Sequence, residues 1–518
     1  MAPPRSLAVA GRPDRLSLSA THDTPVVDLT PPGGGEFAIP DPPSRLVWAA
    51  VVGATVLAVG LRAAFVGDQS LGYEEVFTAS VTGHATLTGV WHAVNATEST
   101  PPLYYLLTWI WVTLGGDHSA VALRMVSLLA GSATVPVSFM AMRRFVGNRL
   151  AAVVAWLCAI SPLLVEYSIY ARSYAAFVLL LTLSLWALGA LLERASWSRW
   201  AVWTAVATAC LWIHYFAGFV LLGEVAVLCA KLPRARARLL ICSAVATVGF
   251  APLWPLLSAQ RGNSSEFSFI SGRPLTARLA DVVRQFAMGT NVPVAWLEAA
   301  GILLAGGAVV VAVLDGSRPR AKRVLVGLAV LAGGVPLVAA ITGAGDYLLP
   351  RNVIGVAVCL APLAARGLTR WRGIPLAAYS AVALATVLAV QTDWRYQGST
   401  DWAGASARIR AQAEDDPIAV IPGTELVVAG FYLHRAPLRT PVPASDLWVI
   451  VEPSRGAHQR ALTPVAAPAL GLLGTGFRAV GEIDYRGFRI FHLHSDSPGV
   501  IAPTQGPAGG PSAVVLGV

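Results

Sequence analysis

Apolar residues fill long stretches of this chain, and most polar residues lie in the short segments between those stretches. The first stretch begins after residue 44, and similar stretches recur to about residue 391. A helix needs about 20 consecutive apolar residues to cross a bilayer. Because only helices and closed barrels satisfy their backbone groups in lipid, the pattern predicts an α-helical polytopic membrane protein.

About eleven segments are long and apolar enough to be predicted as membrane-spanning (TM) helices. They are 45–66, 121–142, 150–168, 173–192, 200–214, 216–231, 237–257, 294–314, 324–342, 347–366 and 374–391.

A further apolar segment, 101–114, is short for a crossing, and the basic residues decide how it is counted. If it is not a span, every Arg and Lys cluster, beginning with Arg143 and Arg144, falls on the cytoplasmic side, as the positive-inside rule expects. Counting it would invert them all. We therefore predict that it lies at the outer interface, within a long external loop at 67–120. The N-terminus is then cytoplasmic, and the C-terminus is outside.

The pattern changes on both sides of the predicted transmembrane domain, 45–391. Residues 1–44 are rich in Pro, Gly and Ser, which predicts a disordered cytoplasmic tail. Residues 392–494 contain short β-like runs and one helical segment, which is typical of a small external α/β domain. Residues 495–518 are again rich in Pro and Gly and are predicted to be a disordered tail. The β-like runs are 418–421, 426–432, 447–451 and 488–493, and the helical segment is 402–413.

Composition supports the membrane prediction and narrows the function. The mean hydropathy is +0.60, and 13% of the residues are charged, against about 25% in soluble proteins. The net charge of +9 comes from arginines between the spans, so it does not indicate nucleic acid as a partner. All five cysteines fall in apolar stretches without metal-ligand spacing. Arg far outnumbers Lys, which is typical of a GC-rich bacterial genome, and the predicted location is the bacterial plasma (inner) membrane.

Polar residues from distant parts of the chain meet at the outer ends of the predicted spans. They are Glu74, Glu75, Glu98, Arg124, Glu166, Tyr170, Arg172, Tyr174, His214, Asp346 and Arg351. Such convergence indicates a site at the outer interface. Each residue also has an ordinary explanation, such as a solvated loop acid, a snorkelling arginine, an aromatic anchor or a polar residue at a hairpin turn.

The order of motifs along residues 45–370 resembles that of the membrane glycosyltransferases of the GT-C class. The motifs are SLGYEEVFTAS, STPPLYYLL, ALRMVSLLAGSATVPV, ISPLLVEYSIYARSYA, LWIHYFAGFVLL and DYLLPRN. The likeness is to the protein O-mannosyltransferase-like group (glycosyltransferase family 39) and its bacterial relatives, including the aminoarabinose transferases.

The resemblance implies roles for individual residues. The external Asp-Glu pair of that group corresponds to Glu74 and Glu75, and its span-opening Arg corresponds to Arg124. Two departures are evident. Thr100 stands where the group usually carries a His before Pro-Pro-Leu, and Tyr170 stands where many relatives carry a Glu before Ala-Arg.

The implied function is transfer of a monosaccharide, a hexosyl or pentosyl group, from a polyprenyl-phosphate donor to an acceptor hydroxyl on the outer face, with inversion. The acceptor, whether glycan, lipid or protein, is left open. Glu74 is the predicted base and Glu75 its orienting partner or an acceptor ligand, because two close carboxylates raise one pKa. The predicted phosphate ligands are Arg124, Arg172 and Arg351, and the further site candidates are Tyr170, Tyr174, His214 and Asp346. No motif requires a cofactor, and the sequence leaves open whether a divalent metal takes part.

Two other functions remain open at this stage. One is a flippase or transporter of lipid-linked sugars, although the chain shows no internal repeat and only Glu224 lies near the middle of a span. The other is a catalytically degenerate scaffold that keeps the GT-C fold.

Overall fold

A computed structural model describes residues 41–262, 270, 272–316, 319–455, 460–465, 476–505 and 513–517. The predicted N-terminal tail therefore lies outside the described residues except for its last four. The helices up to the middle of the chain are α1 (Arg45–Phe65), α2 (Tyr73–Thr82), α3 (Leu87–Thr97), α4 (Leu103–Gly115), α5 (Ala120–Val146), α6 (Asn148–Ile160), α7 (Pro162–Ser168), α8 (Tyr174–Glu193), α9 (Trp197–Ile213) and α10 (Ala217–Lys231). Those that follow are α11 (Arg236–Phe250), α12 (Trp254–Gly262), α13 (Leu275–Met288), α14 (Ala295–Leu314), α15 (Pro319–Thr342), α16 (Gly355–Leu368), α17 (Ile374–Thr392), α18 (Trp402–Ala413) and α19 (Leu426–Leu433).

Seven helices of the described chain are long and apolar enough to cross a membrane, and an eighth results if the bent pair α6–α7 is one span. This confirms the polytopic helical fold but gives fewer full-length spans than the predicted eleven. The difference arises because α9, α10 and α16 have 17, 15 and 14 residues, and helices of that length reach only about 21–26 Å. The segment predicted at the outer interface is α4, a 13-residue helix.

Helix α8 runs through the centre of the bundle and connects its two ends. In its apolar window 78% of the residues are buried, against 22% for α1 at the periphery. At its C-terminal end, Glu193 pairs with Arg144 and Arg199 at 3.2 and 3.3 Å. Two of the basic clusters that were predicted to be cytoplasmic therefore meet there. At its N-terminal end lie the polar residues of the external set.

The C-terminal part is built on one seven-stranded sheet. Its strands are β1 (Ile418–Ile421), β2 (Ala436–Pro437), β3 (Val442–Val451), β4 (Arg478–Tyr485), β5 (Phe488–Ile501), β6 (Thr504–Gln505) and β7 (Ala513–Gly517). The order is β2-β7-β1-β3-β5-β4, with β6 paired to β7. Only β1 and β3 pair in parallel among these strands.

Two predictions for this part differ from the structure. The run 426–432 was predicted as a strand but forms α19, because a short apolar run fits a buried helix equally well. The last residues were predicted to be disordered, yet β7 lies inside the sheet, with Val515 and Leu516 fully buried. The helix predicted at 402–413 is α18, with the same bounds.

The C-terminal part and the external loop share one apolar core. Leu71 and Val76, which lie just before and within α2, pack in the same cluster as Trp402 and Val428 from α18 and α19. The sheet side of the molecule is therefore joined to the first turn of α2, which carries Glu74 and Glu75.

Candidate active site

Glu74 and Glu75 occupy the first turn of α2 and face different surroundings. Successive residues of a helix point about 100° apart, so the two carboxylates take separate partners. Glu75 caps the start of the helix, where its Oε2 accepts from the Gly72 amide at 3.0 Å.

The carboxylate of Glu75 is fully buried and fully hydrogen-bonded. Its Oε1 accepts from Arg124 Nε at 2.8 Å and from the Ala171 amide at 2.7 Å. Its Oε2 accepts from Arg124 Nη2 at 2.7 Å as well as from Gly72. Because a carboxylate offers about four acceptor positions, Glu75 has none left for an acceptor substrate.

Arg124 was predicted to bind the donor phosphate, and its donor groups all have protein partners in this structure. Its Nη1 donates to the carbonyls of Val66 and Gln69, and its Nη2 donates to that of Ser70 as well as to Glu75. With Nε also bound to Glu75, all five N–H groups of the guanidinium are used. Arg124 therefore holds the loop before α2 in place.

Glu74 lies in a more open place, among two arginines and two tyrosines. Arg351 Nη1 donates to its Oε1 at 2.5 Å, and Arg172 Nε lies 3.6 Å from its Oε2. The hydroxyl groups of Tyr170 and Tyr174 lie 3.4 and 3.5 Å from Oε2, which is long for such bonds. About a quarter of the Glu74 side chain is exposed (26%), as is 30% of Arg351. Of the two adjacent glutamates, Glu74 is therefore the one with a partly exposed carboxylate.

Arg172 supports Glu74 from behind. It forms a bidentate ion pair with Glu98, with its Nη1 at 2.9 Å from Oε1 and its Nη2 at 2.8 Å from Oε2. Its Nη1 also donates to the Glu74 carbonyl at 3.2 Å. Tyr105 donates to Glu98 at 2.7 Å, and Thr100 lies 2.9 Å from the Tyr105 hydroxyl. Thr100, which replaces the His of the related group, thus belongs to this network and is linked to Arg172 through Tyr105 and Glu98.

The environment of Glu74 sets its protonation state. Burial alone would raise the pKa of Glu74, but the positive charges of Arg351 and Arg172 outweigh it, and the pKa lies below its ordinary value. The expectation that the neighbouring carboxylate raises the pKa is therefore wrong for Glu74. Its charge is balanced by arginines, while the charge of Glu75 is balanced by Arg124.

A polar cavity of about 320 Å³ adjoins this cluster. Arg351, Tyr170 and Tyr174 form one part of its wall, and Gln391 and Ser399 form another. Glu75 and Arg124 also line it. Glu74 adjoins it through its own partners Arg351, Tyr170 and Tyr174. The wall thus combines a guanidinium group with amide and hydroxyl groups, which suit a phosphate and a sugar respectively.

Glu166 lies on the wall of this cavity. The Thr290 hydroxyl donates to it at 2.6 Å, and the Thr290 amide lies 3.4 Å from its Oε2. None of the ion pairs found in the described residues includes Glu166, so it is free to accept hydrogen bonds from a ligand.

An apolar cavity of about 340 Å³ lies behind the polar one. Helices α7 and α13 contribute to both walls. Glu166 and Gln285 face the polar cavity, whereas Leu163, Val282 and Phe286 face the apolar one. The amphipathic pattern of α13 thus separates a polar space from an apolar space of similar size.

Two predicted site residues lie outside the Glu74 cluster. Asp346 pairs with Arg278 at the start of α13, at 2.9 Å from its Nη2. His214 lies one aromatic layer behind Tyr174, stacked on Phe177 at 4.4 Å between ring centroids. Its Nδ1 accepts from the Phe216 amide at 3.3 Å. Within the described ranges, no group of three or more His, Cys, Asp or Glu residues could hold a metal ion.

Sequence reasoning gave no role to three residues that the structure places at or next to the site. Glu98 and Glu166 belonged to the external set, but their partners, Arg172 and Thr290, lie 74 and 124 residues away. Thr290, which lines the cavity, was not considered. The local sequence around Thr290 carries no motif that could have indicated its contact with Glu166.

Residues 99–258 match the family model of dolichyl-phosphate-mannose-protein mannosyltransferases. ArnT from Cupriavidus metallidurans, solved bound to undecaprenyl phosphate, has a similar structure, with 14% identity, a TM-score of 0.53, and coverage of 87% of this chain and 98% of that chain. Its apo form gives 14% identity, a TM-score of 0.52, and coverage of 86% and 98%. No curated protein matches by sequence. These matches confirm the predicted GT-C-like fold and the resemblance to the mannosyltransferase-like group.

Proposed function

We propose that this protein is a membrane glycosyltransferase that moves a monosaccharide from a polyprenyl-phosphate carrier to an acceptor hydroxyl at the outer face of a bacterial plasma membrane. The observation that carries the proposal is the partly exposed Glu74–Arg351 pair beside a polar cavity that backs onto an apolar one. A base, a cation and space for a lipid-linked sugar are the parts that this reaction needs.

The two cavities suit the two halves of the donor. A sugar phosphate needs a cation and hydrogen-bonding groups, which Arg351, Gln391 and Ser399 offer. The first prenyl units need an apolar wall, which Val282 and Phe286 offer on the other side of α13. ArnT from Cupriavidus metallidurans, which shares the fold, was solved with undecaprenyl phosphate, and this supports the same class of carrier here.

The Glu74–Arg351 ion pair suits an exchange on donor binding. The donor phosphate competes with Glu74 for Arg351, because both are anions and this guanidinium lines the cavity. As Glu74 loses part of its positive neighbour, its pKa rises and the carboxylate becomes a stronger base. The donor would thereby activate the residue that deprotonates the acceptor.

Glu74 then takes the proton of the acceptor hydroxyl, and the acceptor oxygen attacks the anomeric carbon of the sugar. The bond from that carbon to the phosphate oxygen breaks, and its electron pair stays on the polyprenyl phosphate. Arg351 balances the charge of this leaving group. Attack from the face opposite to the phosphate inverts the anomeric centre. Arg172 and Glu75 keep Glu74 in place from behind.

Transfer assays with the purified full chain test the donor class. The protein is incubated with polyprenyl-phosphate hexoses and pentoses and, separately, with nucleotide sugars, each radiolabelled. Transfer from a polyprenyl-phosphate sugar supports the proposal and identifies the sugar, whereas transfer from a nucleotide sugar alone contradicts it. The same assay with EDTA tests whether a divalent metal takes part. If it does, EDTA abolishes transfer and added divalent metal restores it.

Reporter fusions test the predicted sides of the membrane. Reporters after Gly147 and Arg320 are expected to be cytoplasmic, and reporters after Glu98 and Arg435 are expected to be external, because the basic clusters follow the positive-inside rule. An external reporter at Gly147 would place the cavity on the wrong side for this donor.

A further inference from the structure

The loop that leads into α2, residues 66–72, is held from two sides. We call it the entry loop. On the side of the transmembrane helices, Arg124 binds the carbonyls of Val66, Gln69 and Ser70. On the other side the contacts come from residues that follow the last long apolar helix, α17, and belong to the C-terminal part of the chain.

Tyr432 on α19 makes the most direct of these contacts. Its hydroxyl accepts from the Leu71 amide at 2.6 Å. Leu71 is 2% exposed, so water cannot replace this bond if the hydroxyl is removed. A buried amide without a partner is destabilising, and the loop would shift to find another acceptor.

The Ser70 side chain forms two hydrogen bonds with the N-terminus of α18. Its hydroxyl donates to Asp401 and accepts from the Ala403 amide, both at 3.0 Å. Asp401 also caps α18, by accepting from the Gly404 amide at 3.0 Å. The Ser399 hydroxyl donates to the Ser70 carbonyl at 2.8 Å. The start of α18 and the entry loop thus form one hydrogen-bonded unit.

The entry loop controls where Glu74 points. Leu71 precedes Glu74 by three residues, and Gly72 between them is the N-cap of α2. A shift of the loop would therefore tilt the first turn of α2 and move Glu74 away from Arg351. A misplacement of about 1 Å can cost about 100-fold in rate.

We propose that the C-terminal domain positions the active site, with Tyr432 and the N-terminus of α18 holding the entry loop so that Glu74 faces Arg351. Tyr432 is a positioning residue and contacts no substrate. The catalytic consequence of this contact rests on the proposed glycosyltransferase function. The contact itself does not depend on that function.

The substitution Tyr432→Phe tests the contact, because it removes one hydroxyl and keeps the ring. We expect faster amide hydrogen exchange in residues 69–76, measured by mass spectrometry on the full chain. We also expect about a tenfold lower kcat with little change in donor KM. The acid limb of the pH profile of kcat/KM, which reports the free enzyme, should move to higher pH, since Glu74 would lose part of its positive surroundings.

Tyr215→Phe is the matched control, because the Tyr215 hydroxyl makes a bond of ordinary length, 2.9 Å, to Gln260 and none to the entry loop. It should leave exchange in residues 69–76, the kcat and the pH profile near those of the wild type. Ser70→Ala, which removes the bonds to Asp401 and Ala403, should repeat the effects of Tyr432→Phe if that variant folds poorly.

Two results would overturn the proposal. One is unchanged exchange of residues 69–76 in both Tyr432→Phe and Ser70→Ala. The other is faster exchange with an unchanged kcat and an unchanged acid limb. If the wild-type chain transfers no sugar from any donor, the glycosyltransferase function has failed. Hydrogen exchange then still decides whether the C-terminal domain holds the entry loop.

Discussion

Two neighbouring ion pairs differ in how much of their binding capacity they use. In the inner pair, Glu75 and Arg124 have 1% and 2% of their side chains exposed and use every acceptor and donor on each other and on the backbone. In the outer pair, Glu74 and Arg351 are 26% and 30% exposed, and Arg351 lines the polar cavity. A saturated pair can only support structure, whereas an open pair can exchange partners with a substrate. Adjacent glutamates thus have separate roles.

The largest expected effect is on turnover in Glu74→Gln. This change keeps the size of the side chain but removes the base, and loss of a general base costs about 10²–10⁴-fold in rate. We expect kcat to fall by that factor, with expression and the melting temperature unchanged. Glu193→Gln is the matched control, because Glu193 is an ion-paired glutamate at the other end of α8. Turnover near wild type in Glu74→Gln would show that the base is another residue.

Opening the inner pair should reduce stability. Arg124→Met leaves the buried Glu75 without a counter-charge, and breaking a buried pair costs about 3–5 kcal/mol. Unfolding in detergent should show a loss of this size. The double variant Glu75→Gln with Arg124→Met should recover part of it, since no uncompensated charge remains. A stable Arg124→Met protein with weak donor binding would restore the phosphate-binding role for Arg124.

A smaller effect is expected when the outer pair loses its cation. In Arg351→Gln the phosphate loses a charge-assisted hydrogen bond worth about 1.5–3 kcal/mol, so donor affinity should fall about 10–100-fold. The melting temperature should change little, because the site is partly solvated. Arg351→Lys should keep part of the affinity. Equal donor binding in the wild type and Arg351→Gln, measured with a labelled carrier, would place the phosphate elsewhere.

The smallest expected effect is on the pH dependence of transfer. Arg351 and Arg172 hold the pKa of Glu74 below its ordinary value. Glu74 therefore stays ionised, and transfer persists, as the pH falls toward the pKa of a free glutamate. The ionised Glu74 also contributes to the stability of the fold. This contribution is complete above the pKa that Glu74 has in the unfolded chain, and it is lost as the pH falls through the lower pKa that Glu74 has in the folded chain. In Arg351→Gln the acid limb of kcat/KM, which reports the free enzyme, should move to higher pH. An unmoved limb would mean that Arg351 does not control Glu74.

The sequence predicted the two ends of the bundle better than the contacts within them. The basic clusters indicated that α4 does not span the membrane. The same assignment of sides put Glu74, Tyr170 and Arg351 at one end of the bundle, where the structure brings them together. It could not assign arginines to glutamates, because Glu74 and Arg351 are 277 positions apart. Their pairing depends on the face that each helix end presents, which no local pattern encodes.

In the C-terminal part, two predictions from local sequence were wrong because tertiary contacts determine the secondary structure there. The run that forms α19 is apolar enough for either structure, and its packing against α2 decides for a helix. β7 is five residues long and follows a stretch rich in Pro and Gly. It becomes ordered only because β1 offers it a partner in the sheet. A short strand of this kind can be predicted only when the strand that it pairs with is known.

Arg62 shows how the assembly of this protein in the membrane must be ordered. This fully buried arginine near the end of α1 donates to Ser168 and to the carbonyls of Cys158 and Ala159, where α6 breaks from α7. These partners are synthesised about a hundred residues later. Because an arginine without partners is costly in lipid, we expect α1 to reach its final depth only after α6 and α7 have been inserted beside it. A helix that is synthesised before its partners would then settle after them.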